Sequence, residues 1–441
     1  MPVFGRGAFR CGKIWVSSLS SCSPRGLISM LLQNPESPAA SPRGGMDART
    51  QPPRLRLEFL DGIRALAALW VVLAHVLIRL FQSYPRDVPA WSFTWLFYVH
   101  LAVDTFIVLS GFCLILPVAR RGNLEGGARA FYARRARRIL PPYYAALAIT
   151  TLIGLLFHGL SPRGGLVSLK SLAINVLLVQ DIFHWGPEFN LPTWTVALEW
   201  KIYFLLPVMV WLLHRYHAAV MLALAAALGA VLTVAYSLLL PPSPLGLSLN
   251  CPWYVFLFAT GVCGGAVAAR TERPAGPASA WLIGALGLAG TIRLYTHPLN
   301  AVATMPLCDA AFGVFMAAAL VLLGSRRPAS AVMPVLRLFS WRPLVFLGTF
   351  SYSLYLVHYP LITIMYWVLT PTHFLSNTLA PLRQAASHFS FMFGFWVLIG
   401  IPVIIGTAYL FFLVFERPYL STRKRETMTD LARDAALSPA P

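Results

Sequence analysis

Long, uninterrupted apolar segments constrain this chain more than any other feature of its sequence. Ten of them recur between residues 59 and 415, each close to the roughly 20 residues that a helix needs to cross a bilayer. A shorter run, 166–180, is more typical of a re-entrant or interfacial helix. The sequence therefore predicts an all-α integral membrane protein, a bundle of about ten transmembrane helices. The predicted spans cover residues 59–81, 93–117, 140–160, 193–213, 218–240, 252–269, 279–296, 303–323, 343–369 and 389–415.

The composition agrees with a protein embedded in a lipid bilayer. Of 441 residues, 57% are hydrophobic and 12% are charged, whereas soluble domains carry about 25% charged residues. The net charge of +19 would suggest nucleic acid in a soluble chain. Here the basic residues lie between apolar segments and follow the positive-inside rule, so no nucleic-acid partner is expected. The six cysteines show no ligand spacing, which predicts neither a metal site nor a disulfide framework.

The charges between the apolar segments predict the orientation. Residues 118–139 are interpreted as a loop with seven arginines and one glutamate, and 270–274, 325–328 and 416–425 are also basic, whereas 241–251 carries no charge. With ten spans and a cytoplasmic N-terminus, every basic segment falls on the cytoplasmic side. The prediction is N-in and C-in, in the cytoplasmic (inner) membrane if the chain is bacterial.

Residues 1–56 differ in composition from the rest of the chain. They are rich in Arg, Ser, Pro and Gly, and their apolar runs are too short for a secretory signal. Three interpretations stand: a disordered basic tail, an organelle transit-like segment, or a start codon called too early, with the natural beginning at Met46. We favour a disordered or artefactual leader without a chemical role. The membrane domain then covers 57–420, and 421–441 form a cytoplasmic tail.

Ionisable residues inside apolar segments are costly and mark functional sites by default. Arg64 and His75 are eleven residues apart in the first segment, almost three helical turns, so they share one face at about 16 Å along the axis. Asp61 lies on the same stripe. With the N-terminus inside, Arg64 lies at the cytoplasmic mouth and His75 beyond the middle of the membrane. The alternative is that Arg64 snorkels to the interface and His75 is a buried hydrogen-bonding spacer.

The second segment adds three polar residues in the stretch HLAVDTFIVLSGF. His100 begins it, Asp104 is expected near mid-membrane, and Ser110 toward the inside. Asp104 is a candidate catalytic residue. For Ser110 the alternative is helix packing through small side chains.

Two further segments add Glu199, Tyr355 and His358. Glu199 lies near the outer end of its span, at a depth similar to that of His75, so the two side chains are candidates for a pair. Tyr355 and His358 are expected in the outer half of the membrane. The alternatives are a capping or topology charge for Glu199 and a satisfied polar cluster for Tyr355 and His358.

Four arginines precede two prolines in the stretch FYARRARRILPPYY. Because proline suits the first turn of a helix, we expect a helix to begin at Pro141 and Pro142. A helix N-terminus beside guanidinium groups would form a phosphate site. The alternative is a topology signal alone. The arginines are Arg134, Arg135, Arg137 and Arg138.

These residues occur in motifs that resemble the membrane acyltransferase family 3, ten-span O-acyltransferases that modify sugars and other hydroxyl acceptors. The motifs appear in the family's order and extend over about 57–420. Thr195 and Ala197 replace two serines of the family's span-4 motif, which leaves no hydroxyl at 197 but retains Glu199. The resemblance is to the stand-alone type, without a C-terminal esterase-like domain. The matching stretches are FLDGIRALAALWVVLAHV, VDTFIVLSGF, RRARRILPPYY, WTVALEW, FSYSLYLVHYP and FERP.

The resemblance implies an acyl-CoA donor from the cytosol and a hydroxylated acceptor, with a sugar as the expected class. The donor is a co-substrate, so no bound cofactor is expected. The residues suggest how it would be handled: the arginine run docks the CoA phosphates, and the thioester arm follows the stripe from Arg64 to His75. His75 acts as general base or as transient nucleophile. Glu199 or Asp104 fixes its tautomer, as a carboxylate does in a catalytic triad.

Two other classes of function compete with acyl transfer. A proton-coupled secondary transporter or exporter would also use intramembrane His, Asp, Glu and Arg, but the sequence shows neither an inverted repeat nor paired interrupted helices. A membrane sensor or scaffold without chemistry would leave the arginine run and His75 unexplained.

Overall fold

The computed structural model of the chain describes residues 58–83, 98–156, 169–183, 190–239, 251–270, 278–299, 304–325, 329–369 and 388–420. Every regular element in these ranges is helical, as the sequence predicts. The leader, 1–56, and the tail, 421–441, lie outside the described residues.

Fifteen α-helices are named here in chain order. The turn 191–193 precedes α5, and π-helical segments at 396–400 and 412–416 flank α15. The helices are α1 Glu58–Ser83, α2 His100–Arg121, α3 Gly127–Leu156, α4 Leu169–Val176, α5 Trp194–Tyr203, α6 Leu206–Arg215, α7 Ala218–Leu239, α8 Tyr254–Arg270, α9 Ala278–Thr296, α10 Thr304–Leu323, α11 Met333–Phe339, α12 Arg342–Thr349, α13 Ser351–Leu369, α14 Phe389–Phe395 and α15 Ile401–Phe411.

Each of the ten predicted apolar segments contains a described helix. By length and composition, seven spans among the described residues could cross a membrane, or up to nine if each bent pair is one span. The α5–α6 pair bends by 42° and the α11–α12 pair by 56°. Large apolar side chains on α7, α9 and α15 are exposed, such as Leu238, Leu286 and Leu410, which is typical of a lipid-facing surface. The chain is an integral multi-pass membrane protein; the count of ten and the N-in, C-in orientation stay predictions.

The predicted loop 118–139 is wrong, because most of it is helical. Helix α2 continues to Arg121 and α3 begins at Gly127. Gly122 and Gly126, with φ of 81° and 70°, turn the chain between them, since glycine adopts positive φ without steric cost. Alanine and arginine are good helix formers, so the basic run continues the helix despite its charge.

The expected helix start at Pro141 and Pro142 is also wrong, because both prolines lie inside α3. Proline has no backbone N–H, so the carbonyls of Arg137 and Arg138 lose their helical donors. Membrane helices tolerate such breaks where neighbouring groups satisfy the freed carbonyls. The arginine run therefore lies within a helix, and no helix N-terminus contributes to a phosphate site there.

Helices α2, α8 and α10 pack against one another and form the tightest group of the described bundle. Two glycines permit this approach: a Cβ atom at Gly111 would collide with the carbonyl oxygen of Phe258, and one at Gly261 with that of Val108. Small residues at such crossings let membrane helices pack through their backbones.

Helix α1 lies between two apolar clusters and contacts α2, α11, α12 and α13. Ile63 and Ala67 belong to the cluster that includes α2 and α8, whereas Val72 and Val76 belong to the cluster built with α13 and α15. The two ends of α1 therefore bring Arg64 and His75 to different neighbours.

We expect Gly261→Val to lower the thermal stability of the detergent-solubilised protein. The added side chain would force α2 and α8 apart, and overpacking typically costs about 1–3 kcal/mol. Thermal unfolding measured with a thiol-reactive probe of the buried cysteines reports the change. Gly406→Val is the matched control, since nothing lies within 4 Å of a Cβ atom there. Equal melting temperatures for the two variants would contradict the packing assignment.

Candidate active site

A cavity of about 220 Å³ lies between α1, α2, α3, α5 and α13. Val103, Phe106 and Ile107 form part of its apolar wall. Six residues that the sequence singles out line the cavity, and Thr195, Tyr203, Ser351 and Tyr352 line it without having been predicted. The six are Arg64, Ser110, Arg135, Arg138, Glu199 and Tyr355.

Arg64 is fixed in the cavity wall through both of its terminal nitrogens. Its Nη1 donates to Asp61 Oδ1 at 2.6 Å, and its Nη2 donates to Cys113 Sγ at 3.0 Å. Asp61 is one turn before Arg64 on α1, while Cys113 belongs to α2. The guanidinium group therefore links the two helices and has a defined position at the cavity.

Glu199 is the acceptor of a small hydroxyl cluster. The hydroxyls of Ser110 and Tyr203 both donate to Glu199 Oε1, and Tyr203 lies 3.3 Å from Ser110 Oγ. Tyr203 is one turn after Glu199, a spacing that places two side chains on one helix face. That spacing was the available sequence signal for Tyr203.

The four arginines divide between two faces of α3. Arg135 and Arg138 line the cavity, three residues apart and half-buried. Arg134 and Arg137 are exposed, and Arg134 Nη2 donates to the Glu125 carbonyl at 2.8 Å. Because Asp61 pairs with Arg64, the cavity combines two further guanidinium groups with one carboxylate. This balance favours an anionic ligand.

His75 is paired with His358 across the α1–α13 contact. His358 Nδ1 lies 2.8 Å from the Tyr355 carbonyl, and His75 Nδ1 lies 2.9 Å from the Val71 carbonyl. Carbonyl oxygens only accept, so both rings carry the proton on Nδ1. His75 Nδ1–H also points to His358 Nε2, at 3.2 Å. With the proton on Nδ1, a neutral His75 ring has an unprotonated Nε2, the nitrogen that a general base requires.

The histidine pair lies beside the cavity rather than in its wall. His358 is completely buried and packs against Tyr355, with ring centroids 5.7 Å apart. The Tyr355 hydroxyl reaches the cavity, accepts a hydrogen bond from Thr195 at 2.8 Å and donates to the Pro192 carbonyl at 3.0 Å. Tyr355 therefore contacts the pair and also belongs to the cavity wall.

Neither expected carboxylate is among the described partners of His75. Glu199 accepts from Ser110 and Tyr203. Asp104 is completely buried and lies near His100 and Asp309, on α2 and α10. Instead, His75 Nδ1 contacts His358 Nε2 and the Val71 carbonyl oxygen.

The comparisons with known proteins identify the family of the chain. The acyltransferase family 3 model, described as an acyltransferase domain, matches residues 57–413. Peptidoglycan O-acetyltransferase OatA of Listeria monocytogenes serovar 1/2a is 26% identical over 78% of this chain and 55% of its own length. The candidate peptidoglycan O-acetyltransferase YrhL of Bacillus subtilis is 26% identical over 69% of this chain and 48% of its own.

Acyltransferase MdmB of Streptomyces mycarofaciens is a shorter match, 30% identical over 35% of this chain and 40% of its own length. The chain spans about half the length of OatA and YrhL. No solved structure matches.

Cys113 offers a direct test of the charge in the cavity, because its half-buried thiol lies in the wall beside Arg64. We expect anionic sulfonatoethyl methanethiosulfonate to modify Cys113 about tenfold faster than the cationic trimethylammonium reagent, after normalisation to a free thiol. Peptide mass spectrometry measures the rate. Cys263, half-buried but outside the wall, is the internal control and should show no such preference. Faster reaction of Cys113 with the cation would contradict a cationic cavity.

Proposed function

Because the chain belongs to acyltransferase family 3, we propose that it is a membrane O-acyltransferase that moves an acyl group from cytosolic acyl-CoA to a hydroxyl of a carbohydrate or glycosylated acceptor. Acetyl is the proposed acyl group. One observation carries the proposal: Arg64, Arg135 and Arg138 line a single cavity, and the His75–His358 pair lies beside it. The names of OatA and YrhL support a sugar hydroxyl as acceptor.

In the proposed complex, Arg135 and Arg138 bind phosphate groups of CoA. Planar guanidinium groups make bidentate contacts with phosphate oxygens. Half-burial in the cavity wall would reduce screening by water and make those contacts stronger than surface contacts. Arg134 and Arg137 are exposed on the other side of α3 and would contribute only to the general positive potential.

The thioester arm would then extend from Arg64 toward His75, a distance of about 16 Å along α1. The acceptor would approach from the opposite side of the membrane, so that its hydroxyl meets the thioester at His75. This arrangement explains why the residues form two groups, a cationic cavity and a neutral histidine pair. Arg64, held at a fixed position by Asp61 and Cys113, would orient the arm between them.

For the chemical step, we propose that His75 Nε2 takes the proton of the acceptor hydroxyl. The acceptor oxygen attacks the thioester carbonyl carbon, the C–S bond breaks, and the leaving CoA thiolate receives the proton that His75 Nε2 took, which returns His75 to its neutral form. The charged His75 ring would keep its Nδ1–H contacts with the Val71 carbonyl and His358 Nε2. The same Nε2 also suits the alternative in which His75 carries the acyl group transiently.

We expect His75→Ala to lower turnover at least about 100-fold, because a positioned general base or nucleophile contributes that much or more. The assay follows the release of free CoA thiol by purified protein given acetyl-CoA and a sugar acceptor. His214→Ala is the control, since His214 is exposed on α6 and should retain full turnover. A correctly inserted His75→Ala variant with more than about half of the wild-type rate would refute the role of His75.

We expect Arg135→Ala and Arg138→Ala to raise KM for acetyl-CoA by roughly tenfold each, with a smaller effect on kcat, because a lost charge-assisted hydrogen bond costs about 1.5–3 kcal/mol. Arg134→Ala and Arg137→Ala are matched controls that remove the same charge from the exposed face of α3. They should leave KM within about twofold at physiological salt, where surface charges are screened. Equal increases in KM for variants on both faces of α3 would mean that the arginines act only through their general positive potential, and this would contradict the phosphate site.

The acceptor can be identified as the glycan or glycolipid that loses the mass of an acyl group when the gene is deleted. Mass spectrometry of surface glycans and glycolipids from a deletion strain, compared with the complemented strain, reports the lost mass and therefore the acyl length. An unchanged profile together with transport of a labelled glycolipid by the purified protein would favour a transporter instead.

A further inference from the structure

A second polar cluster lies in the bundle, and the proposed reaction does not use it. One ligand atom each from His100, Asp104 and Asp309 lies within 4.8 Å of the others. His100 and Asp104 are one turn apart on α2, and Asp309 comes from the first part of α10. None of the three lines the cavity of the candidate active site.

The cluster places two buried carboxyl groups beside one imidazole. Asp104 and Asp309 are both 0% exposed. His100 Nε2 lies 3.0 Å from Asp309 Oδ1, so one histidine accompanies two carboxylates. Buried carboxylates are stable only when they are paired, protonated or bound to a metal. If both carboxyls are ionised, one of the two charges has no counter-charge among the described residues, so the second carboxyl must hold a proton or a metal ion.

Asp104 has the least satisfied side chain of the three, since both of its oxygens but only Oδ1 of Asp309 lack a hydrogen bond among the described residues. Among the described residues, neither of its oxygens accepts a well-formed hydrogen bond. The hydroxyl of Tyr254 lies beside it but lacks hydrogen-bond geometry. An unsatisfied carboxylate, fully buried and directed at a histidine and a second carboxylate, indicates a missing positive ligand.

The groups around the cluster hold the other two side chains in place. Trp253 Nε1 donates to Asp309 Oδ2 at 2.8 Å, which leaves Oδ1 directed toward His100. The hydroxyl of Tyr295 lies 2.7 Å from His100 Nε2. The Trp253 contact is of the kind that orients a metal ligand, whereas the Tyr295 hydroxyl would have to move away from Nε2 for an ion to bind there.

We infer that His100, Asp104 and Asp309 bind one divalent transition-metal ion, with Zn²⁺ the best match, and that the ion ties α2 to α10. Two carboxylates and a doubly charged cation sum to zero, which suits the interior of a membrane protein. A nitrogen ligand favours Zn²⁺ over Mg²⁺ or Ca²⁺, which prefer oxygen.

The required movement is small. Tetrahedral Zn²⁺ with bonds of about 2.0–2.2 Å holds its ligand atoms roughly 3.4 Å apart, so side chains now within 4.8 Å need to close by about an ångström. On binding, Zn²⁺ replaces the proton on His100 Nε2, and that proton is released to solvent. Three protein ligands leave a fourth position, which water would fill.

The test uses the full chain, purified in detergent without a histidine tag, stripped with a chelator and reloaded with ZnCl₂. Elemental analysis should find one Zn²⁺ per chain, and the melting temperature should rise with Zn²⁺ concentration. We expect Asp309→Asn to lower the Zn²⁺ affinity about tenfold or more relative to the wild type. His297→Gln is the control: His297 is exposed just after α9 and should bind Zn²⁺ as the wild type does.

If Asp309→Asn does not fold, His100→Gln tests the same site, and the visible absorption of bound Co²⁺ in the wild-type chain reports a nitrogen–oxygen ligand set directly. Substoichiometric Zn²⁺ on the stripped and reloaded chain would overturn the inference and leave a protonated Asp104 beside a His100–Asp309 ion pair. Full Zn²⁺ binding by folded Asp309→Asn, or preference for Mg²⁺ or Ca²⁺, would overturn it as well.

Discussion

A polar group inside a lipid bilayer must find its partner within the protein, because the hydrocarbon core supplies none. Several buried polar residues of the described candidate site follow that constraint, although Arg135 Nε has no hydrogen-bond partner among the described residues. Arg64 pairs with Asp61 and Cys113, and Glu199 accepts from two hydroxyls. The Arg64–Cys113 contact joins α1 to α2 and the Ser110–Glu199 contact joins α2 to α5, so satisfying these polar groups also holds those helices together.

The same constraint accounts for the separation of the site into a cationic cavity and a neutral histidine pair. Guanidinium groups are clustered where the cavity can admit an anion, and the two imidazoles satisfy each other and nearby carbonyl oxygens without any charge. Helix α1 connects the two regions, because its ends pack into different apolar clusters. Under the proposed function, α1 sets the distance that the thioester arm must span.

The sequence predicted the helices well, because roughly 20 apolar residues in lipid can satisfy their backbone only as a helix. It also singled out Arg64, Glu199 and Ser110, which line the cavity, since ionisable and hydroxyl side chains stand out against an apolar background. It failed at α3, where proline was interpreted as a helix start although it lies in the interior. Helix propensity of the flanking alanines and arginines outweighed the two prolines.

Partnerships between distant segments were the part that the sequence did not reveal. His75 and His358 are far apart in the sequence and are brought together by the packing of α1 against α13. Their spacing therefore does not predict the hydrogen bond between them. The His100–Asp104 spacing was visible, but Asp309 joins it only through the α2–α10 contact. The expectation that the chain offers no metal site rested on cysteine spacing and did not consider carboxylates on separate helices.

A cryo-electron microscopy structure with a non-hydrolysable thioether analogue of acetyl-CoA would show directly whether the donor extends from the cationic cavity to His75. We expect phosphate density against Arg135 and Arg138, an arm that passes Arg64, and an acyl carbon close enough to His75 Nε2 for an acceptor oxygen to fit between them, with reacting atoms about 3–3.5 Å apart. Analogue bound outside the cavity, or an acyl group that ends at Glu199 with the His75–His358 pair out of reach, would contradict it.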